Sequence, residues 1–418
     1  MSYTHTTLAQ AKTQLAARLR DPNKTLWTDT ELGALISEAM YTWQMLSNYW
    51  RDRGVFNTVS GTLFYDLHAK LPALLGMTIT TQSSVSALQN SLLEPPTPAA
   101  WSGTNMFTLA DVVNALQNRR NQFLVDTGSV MTALNVGAAA PPVSREQMTD
   151  TVINVVRVAW KDSGGTRTNL FENYEYNATA YDPDWATTPG TPSVFSVLST
   201  PPLVLQVIPP PLSNGSLDLV VVRTPGALDS TDSSDLINIP NNSEWIVRWG
   251  ALADLFMREG EAYDPVRGQY ALARYNHGIQ VATEHRHVVQ WELNGIPKIA
   301  SAVLESDIYD PTWHNQTSTP RDILVIGQNL CATAPIADDV YSITADLIRN
   351  APVPVLDADF LQLGRQDLEA VLGYAEHIAS FKLGGGEFLS TLPLLNSFMK
   401  QAIAYNARLA KINEYVLS

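Results

Sequence analysis

The chain has one cysteine, Cys331, in 418 residues. No internal disulfide can form, and a reducing compartment is expected. Charge is also sparse, at 16% of residues, with 27 Lys and Arg against 41 Asp and Glu. The basic residues are scattered, so the patches that displace counterions from nucleic acid are missing. No apolar run approaches the ~20 residues that span a bilayer, and the N-terminal stretch MSYTHTTLAQAK has no apolar signal core. A protein made in the cytoplasm, without membrane contact, is expected. Zinc-type spacing is lacking: there is no Cys-x-x-Cys and no His-Glu-x-x-His. His285-Arg286-His287 would splay its rings on a helix and align them only on a strand. Gly384-Gly385-Gly386 lacks the Lys-Ser/Thr of a phosphate loop, and no Gly-x-Ser-x-Gly elbow occurs. No cofactor, metal site or catalytic residue is therefore assigned.

What the chain has is apolar material: 45% hydrophobic residues, including ten Trp and fifteen Tyr. That suffices for packed cores, and the length exceeds what one core usually serves. With so few charges, part of the surface is expected to be hidden in an assembly. The net charge of −14 would repel DNA, which suits a wall that DNA slides past.

The periodicities predict an α+β chain, mainly helical bundles with small antiparallel β elements. A helix is expected over residues 5–20. A second begins at the capping box Thr28-Asp29-Thr30-Glu31 and carries the stripe Leu32, Leu35, Ala39, Trp43, Leu46 and Trp50. Residues 55–67 read as a strand pair turning at Ser60-Gly61. Residues 91–104 read as a linker. Met148, Val152, Val155 and Ala159 fall on one helical face, so a helix capped by Ser144 and Gln147 is expected over 145–161. Leu203–Ile208 and Leu217–Val222 read as a hairpin around Pro209–Pro211. Two antiparallel helices follow, carrying Trp245 to Phe256 and Leu272 to Ala282. Strands at 323–326 and 340–348, a helix through Leu368 and Ile378 that stops at Gly384–Gly386, and a helix from Leu395 to Leu409 complete the chain.

Several features recur. Phe107-Thr108 echoes Trp27-Thr28, Thr108–Asp111 repeats the capping box, and Phe123 falls where Trp43 would, all 80 residues on. Tyr309-Asp310-Pro311-Thr312-Trp313 repeats Tyr181-Asp182-Pro183-Asp184-Trp185 after 128 residues, and Tyr405-Asn406 repeats Tyr275-Asn276 after 130. Two different offsets do not fit a head-to-tail duplication. They fit nesting: a unit over 105–298 inserted into an outer unit made from 1–90 and 300–418, since surface loops accept insertions at modest cost. In the Tyr-Asp-Pro-x-Trp segments, Asp-Pro is expected to start a turn and Trp to plug a core. The alternative is a sugar-cleaving or sugar-binding site using Asp182, Asp184 and Asp310. The two Tyr-Asn pairs are expected to bury Tyr and to cap or bridge with Asn.

This order of elements resembles the head–tail adaptor (connector) proteins of tailed bacteriophages, at about twice their length. The resemblance rests on helices ending in Trp43, Tyr49 and Trp50, on Ser60–Leu67, and on Trp185 before Gly190-Thr191-Pro192. It continues through the strand ending at Pro209–Pro211, Leu217–Val222, and the stretch Ile237–Ala282 with Gly260–Asp264 and Arg274-Tyr275-Asn276. It implies a non-enzymatic virion protein of the neck, forming a ring, typically of twelve subunits, beneath the portal. Such a ring continues the DNA channel without specific DNA binding and gives tail or nozzle proteins a platform. A tail or baseplate component is the neighbouring reading. The family's portal-docking tail corresponds to Lys411–Ser418, with Tyr415, Val416 and Leu417 as apolar anchors.

Overall fold

A computed structural model describes residues 5–92, 106–137, 145–198, 202–260 and 262–417, with side chains through residue 409. The expected linker and Ser144 lie mostly or wholly outside the described residues. From the N-terminus run α1 (Leu8–Arg18), α2 (Asp29–Ser47), β1 (Arg51–Asn57), β2 (Tyr65–Asp66), the one-turn α3 (Leu67–Lys70) and α4 (Pro72–Leu75), and α5 (Thr81–Ser91). Next come α6 (Leu109–Thr127), β3 (Met131–Val136), β4 (Arg145–Gln147), β5 (Val152–Asp162), β6 (Arg167–Glu172) and α7 (Glu175–Tyr181). They are followed by β7 (Val194–Leu198), β8 (Val204–Ile208), β9 (Gly215–Arg223), α8 (Glu244–Phe256) and α9 (Pro265–Glu284). Then come β10 (Val288–Leu293), β11 (Ile296–Lys298), β12 (Ala300–Ala302), α10 (Val303–Tyr309), β13 (Thr317–Ser318) and β14 (Asp322–Ile326). The chain closes with β15 (Leu330–Ala334), β16 (Ile336–Ala337), β17 (Ser342–Ile348), α11 (Arg365–Ser380), α12 (Gly385–Ser390) and α13 (Leu392–Leu417). The fold is α+β.

The helices start where the side chains say they should. Thr108 accepts from the Asp111 amide at 3.1 Å while Asp111 accepts from the Thr108 amide at 3.0 Å, a complete capping box. At α2 only half of it forms. Thr28 accepts from the Glu31 amide, but the Glu31 carboxylate turns away to Lys382, 3.1 Å off. The long helices share one apolar core in which Trp43, Phe123, Trp245, Phe381 and Phe398 are buried. Within it α6 packs on α8 and α9, and α2 packs on α11 and α13.

The strands follow one path twice. β3, β9 and β5 lie side by side and antiparallel, as do β1, β17 and β10. Met131 faces Val222 where Arg51, 80 residues earlier, faces Ile348. Onward, β6 pairs with β5 and then, in parallel, with β7; β11 pairs with β10, and β12 pairs in parallel with β14. Each path ends in an antiparallel trio, β7–β8–β4 or β14–β15–β2. Each encloses a small apolar core, one around Val158, Trp160, Phe195 and Leu219, the other around Trp291, Leu293, Ile323 and Ala345. α5 packs on α6 and α8 as α1 packs on α2 and α11.

Four local expectations change. The helix expected over 145–161 is instead the strands β4 and β5. Two bulges in β5, at Val152/Asn154 and Val155/Arg157, insert extra residues, so Val152, Val155 and Val158 all face one core at three-residue spacing. That spacing imitates a helical stripe, and the β-branched run Val-Ile-Asn-Val-Val-Arg-Val decides for the strand. The 203–222 hairpin does not form: β8 pairs with β7 and β4, and β9 with β3 and β5. Pro209–Pro211 has no amide donor to carry a ladder around a tight turn. Likewise β1 and β2 do not pair with each other; they join β17 and β15, and the turn at Gly61 is tied to Ala337 through the Gly61 amide. Finally, α11 ends at Ser380, and Gly384, at φ +65°, precedes α12 rather than stopping α11.

Candidate interaction surfaces

The two Tyr-Asp-Pro-x-Trp segments build the same corner. Each ends a seven-residue helix, α7 or α10, with its Tyr exposed: Tyr181 at 89% and Tyr309 at 87%. Asp182 accepts from the Asp184 amide and Asp310 from the Thr312 amide, the short-range bond that makes Asp a turn starter. Trp185 and Trp313 are both buried, and each indole N–H donates six residues back, to Thr179 Oγ1 at 3.1 Å and to Asp307 Oδ1 at 2.9 Å. Buried indoles offer no face for stacking a sugar, and Asp184 has Thr312 as its counterpart, so the carboxylates form no repeated acid/base pair.

The surroundings of the two corners differ. Asp307 is docked on Arg157 of β5, with Nε–Oδ2 at 2.7 Å and side chains 2% and 7% exposed. Asn169 of β6 accepts from the same guanidinium, which also lies over the Trp313 ring, 5.8 Å from its centroid. Asn315 and His314 then engage the Arg167 backbone. Two carboxylate oxygens on one fork, plus Asn169, engage Nε and Nη2 of this buried guanidinium and offset much of what burying the charge pair costs, while Nη1 has no partner. By contrast, α7 has no buried residue at all; Tyr174 and Tyr176 are 77% and 82% exposed. Sequence reading missed Arg157, Asn169 and Asp307 because they act across 150 residues; the one local signal is a polar residue six places before each Trp.

The Tyr-Asn pairs also diverge. Tyr275 is buried, with Arg119 stacked on its ring at 4.9 Å, but Asn276 is exposed. Tyr405 is half-buried against Tyr49, and Asn406 accepts from Asn48 at 3.1 Å. Asn48 is the left-handed cap of α2; the cap of α6, 80 residues on, is Gly128, which has no side-chain amide to offer Asn276.

The family model described as SU10 adaptor protein matches residues 79–295, from just before α5 through β10, more than half of the chain. The chain belongs to this family. It is thus a structural, adaptor-type component of a phage particle. No curated protein matches the chain.

Between β10–β11 and β12–β14 of this SU10-family adaptor lies a cavity of about 890 Å³, lined by Leu67, Trp291 and Val325 with Arg286, His287 and Lys298. At its edge three histidines cluster: His285 and His287, which follow α9, have ring centroids 5.0 Å apart, and His68 of α3 lies 5.6 Å from His287. All three are buried, and burial pushes each below the usual histidine range, His285 to about 4. Among the described residues no group of three or more His, Cys, Asp and Glu is arranged to hold a metal. Cys331 is fully buried on β15, and burial raises its thiol far above the ordinary value. Among the described residues, no helix of the adaptor is long and apolar enough to cross a membrane. The anchors expected at Tyr415, Val416 and Leu417 lie outside the described side chains.

Proposed function

We propose that the chain is a head–tail adaptor that assembles with copies of itself into a ring beneath the portal, continues the DNA channel, and presents a platform to tail or nozzle proteins. The family match over 79–295 carries the reading. The double-length reading is part of it: two adaptor units, one nested in the other. Limits nearer 79–287 for the inner unit than 105–298 fit the packing of α5 on α6 and α8, although α5 also touches α2, and the pairing of β10 with β17. Each chain would then supply two of about twelve positions in the ring, the number that the family resemblance suggests.

A net charge of −14 favours a channel wall that DNA passes without sticking. The C-terminal stretch with Tyr415, Val416 and Leu417 is the proposed portal anchor. Sedimentation velocity, run on the chain alone and with the portal protein of the same phage, tests this. The expected result is a closed oligomer in at least one of the two samples. An inert monomer in both would overturn it.

A further inference from the structure

The docking of α10 on β5–β6 is a contact between two different surfaces, each of which has a twin elsewhere in the chain. The twin of α10 is α7, none of whose residues is buried. The twin of the accepting sheet face is found by register. Arg157 faces Val220, and Val220 faces Ala133; Gln290 faces Asp346, and Asp346 faces Arg53, which lies 80 residues before Ala133. Gln290 therefore stands where Arg157 does. By the same count Pro297, opposite Glu292, stands where Asn169 does, opposite Ala159. On the β5–β6 face Arg157, Ala159 and Asn169 are buried, whereas Gln290 and Glu292 are half-exposed and Pro297 is exposed.

We propose that α7 and its Trp185 corner dock on the β1–β17–β10–β11 face of a second copy of this chain, repeating between chains the contact that α10 makes within one. The proposal rests on the ring reading above and names its interface. A contact between two unlike surfaces propagates head to tail, and a suitable rotation closes it into a ring. Used once inside the chain, it leaves one α7 and one open sheet face per molecule, the two halves of the next joint.

The side chains at its centre fit. Where the internal joint sets Asp307 against Arg157, the external one sets Thr179 against Gln290, so both members of the pair are neutral. A carboxylate or a guanidinium alone at either place would be buried without its partner on association. Around this centre Arg53 of the accepting face is already paired with Glu292 and Asp346, so the cation left to meet Asp182 and Asp184 beside the corner is the exposed Arg286. Tyr174 and Tyr176 supply the apolar area.

The test recreates the internal pair at the external joint in the full-length chain. Thr179→Asp alone buries a lone carboxylate and is expected to raise the concentration at half-assembly by about tenfold or more. Thr179→Asp combined with Gln290→Arg is expected to restore assembly. In parallel, Thr179→Cys chains mixed with Gln290→Cys chains should give a disulfide-linked dimer, with neither alone doing so, because Cys331 is buried. Circular dichroism checks that each variant is folded; Thr179 and Gln290 are surface positions. Wild-type rings that survive Thr179→Asp unchanged, with no cross-link in the mixture, would overturn this interface and leave the ring reading standing. A wild-type chain that never assembles, with or without portal, would sink both.

Discussion

The strand path of β5, β6 and β7 and that of β10, β11, β12 and β14 begin from the same plan and end differently. In the first, β6 is one unbroken strand of six residues that bonds to both neighbours and closes a seven-stranded sheet. In the second, the corresponding stretch breaks at Ile299, which is 92% exposed, into β11 and β12. Two four-stranded sheets result, with the 890 Å³ cavity between them. On the closed sheet α10 docks at Arg157 and buries it; at the matching place on the open one, Gln290 is half-exposed and Pro297 exposed. One architecture thus gives a docked corner in one place and an undocked one in the other, and the undocked one is where the proposed interchain joint would form.

The largest effect should separate the two faces directly. Arg157→Ala leaves the Asp307 carboxylate buried without its partner and should destabilise the chain by about 3–5 kcal/mol in urea unfolding. Gln290→Ala at the twin position should stay within about 0.5 kcal/mol for the unassembled chain. Equal losses at both positions would break the comparison.

The two corners sharpen it next. Trp313→Ala removes an indole packed against Arg157 and should cost about 3–5 kcal/mol. Trp185→Ala should cost less, because the α7 it anchors has no buried residue, whereas α10 carries the buried Asp307. Thermal unfolding of the two variants side by side reads the difference.

A pH series probes the histidine cluster beside the open sheet. An unfolded histidine titrates near 6.5, and burial holds folded His285 at about 4. Its folded value is depressed, so full stability is present above pH ~6.5 and is lost as pH falls from there through about 4. For His285 alone that amounts to roughly 3 kcal/mol by pH 4. His68 and His287, lowered in the same direction, add to the slope. His285→Phe should flatten the curve measured by chemical unfolding between pH 7 and 4.

The smallest effect is expected at the helix caps. Asn406→Ala removes the bond to Asn48 and should cost about 0.5–1.5 kcal/mol, while Asn276→Ala should be nearly neutral.

Much of this was legible in the sequence. Capping boxes and apolar stripes located α2, α6, α8 and α9, because those signals are local. The two repeat offsets were legible because a turn-forming Asp-Pro and a buried Trp tolerate little variation in spacing. β5 was misread because its bulges turn a two-residue alternation into a three-residue one. The partners of β8 and β9 were misread because adjacency along the chain is a weak guide when prolines interrupt the turn. The Arg157–Asp307 joint was not legible at all: no local pattern ties residues 150 apart, and only the folded sheets show which face stays open.

Electron microscopy of the assembled particles tests the central claim most directly. Averaged end-on views should show a closed ring around a central channel, built from two alternating, similarly shaped lobes per chain. Compact particles of a single chain, with no channel even when the portal protein is supplied, would contradict it.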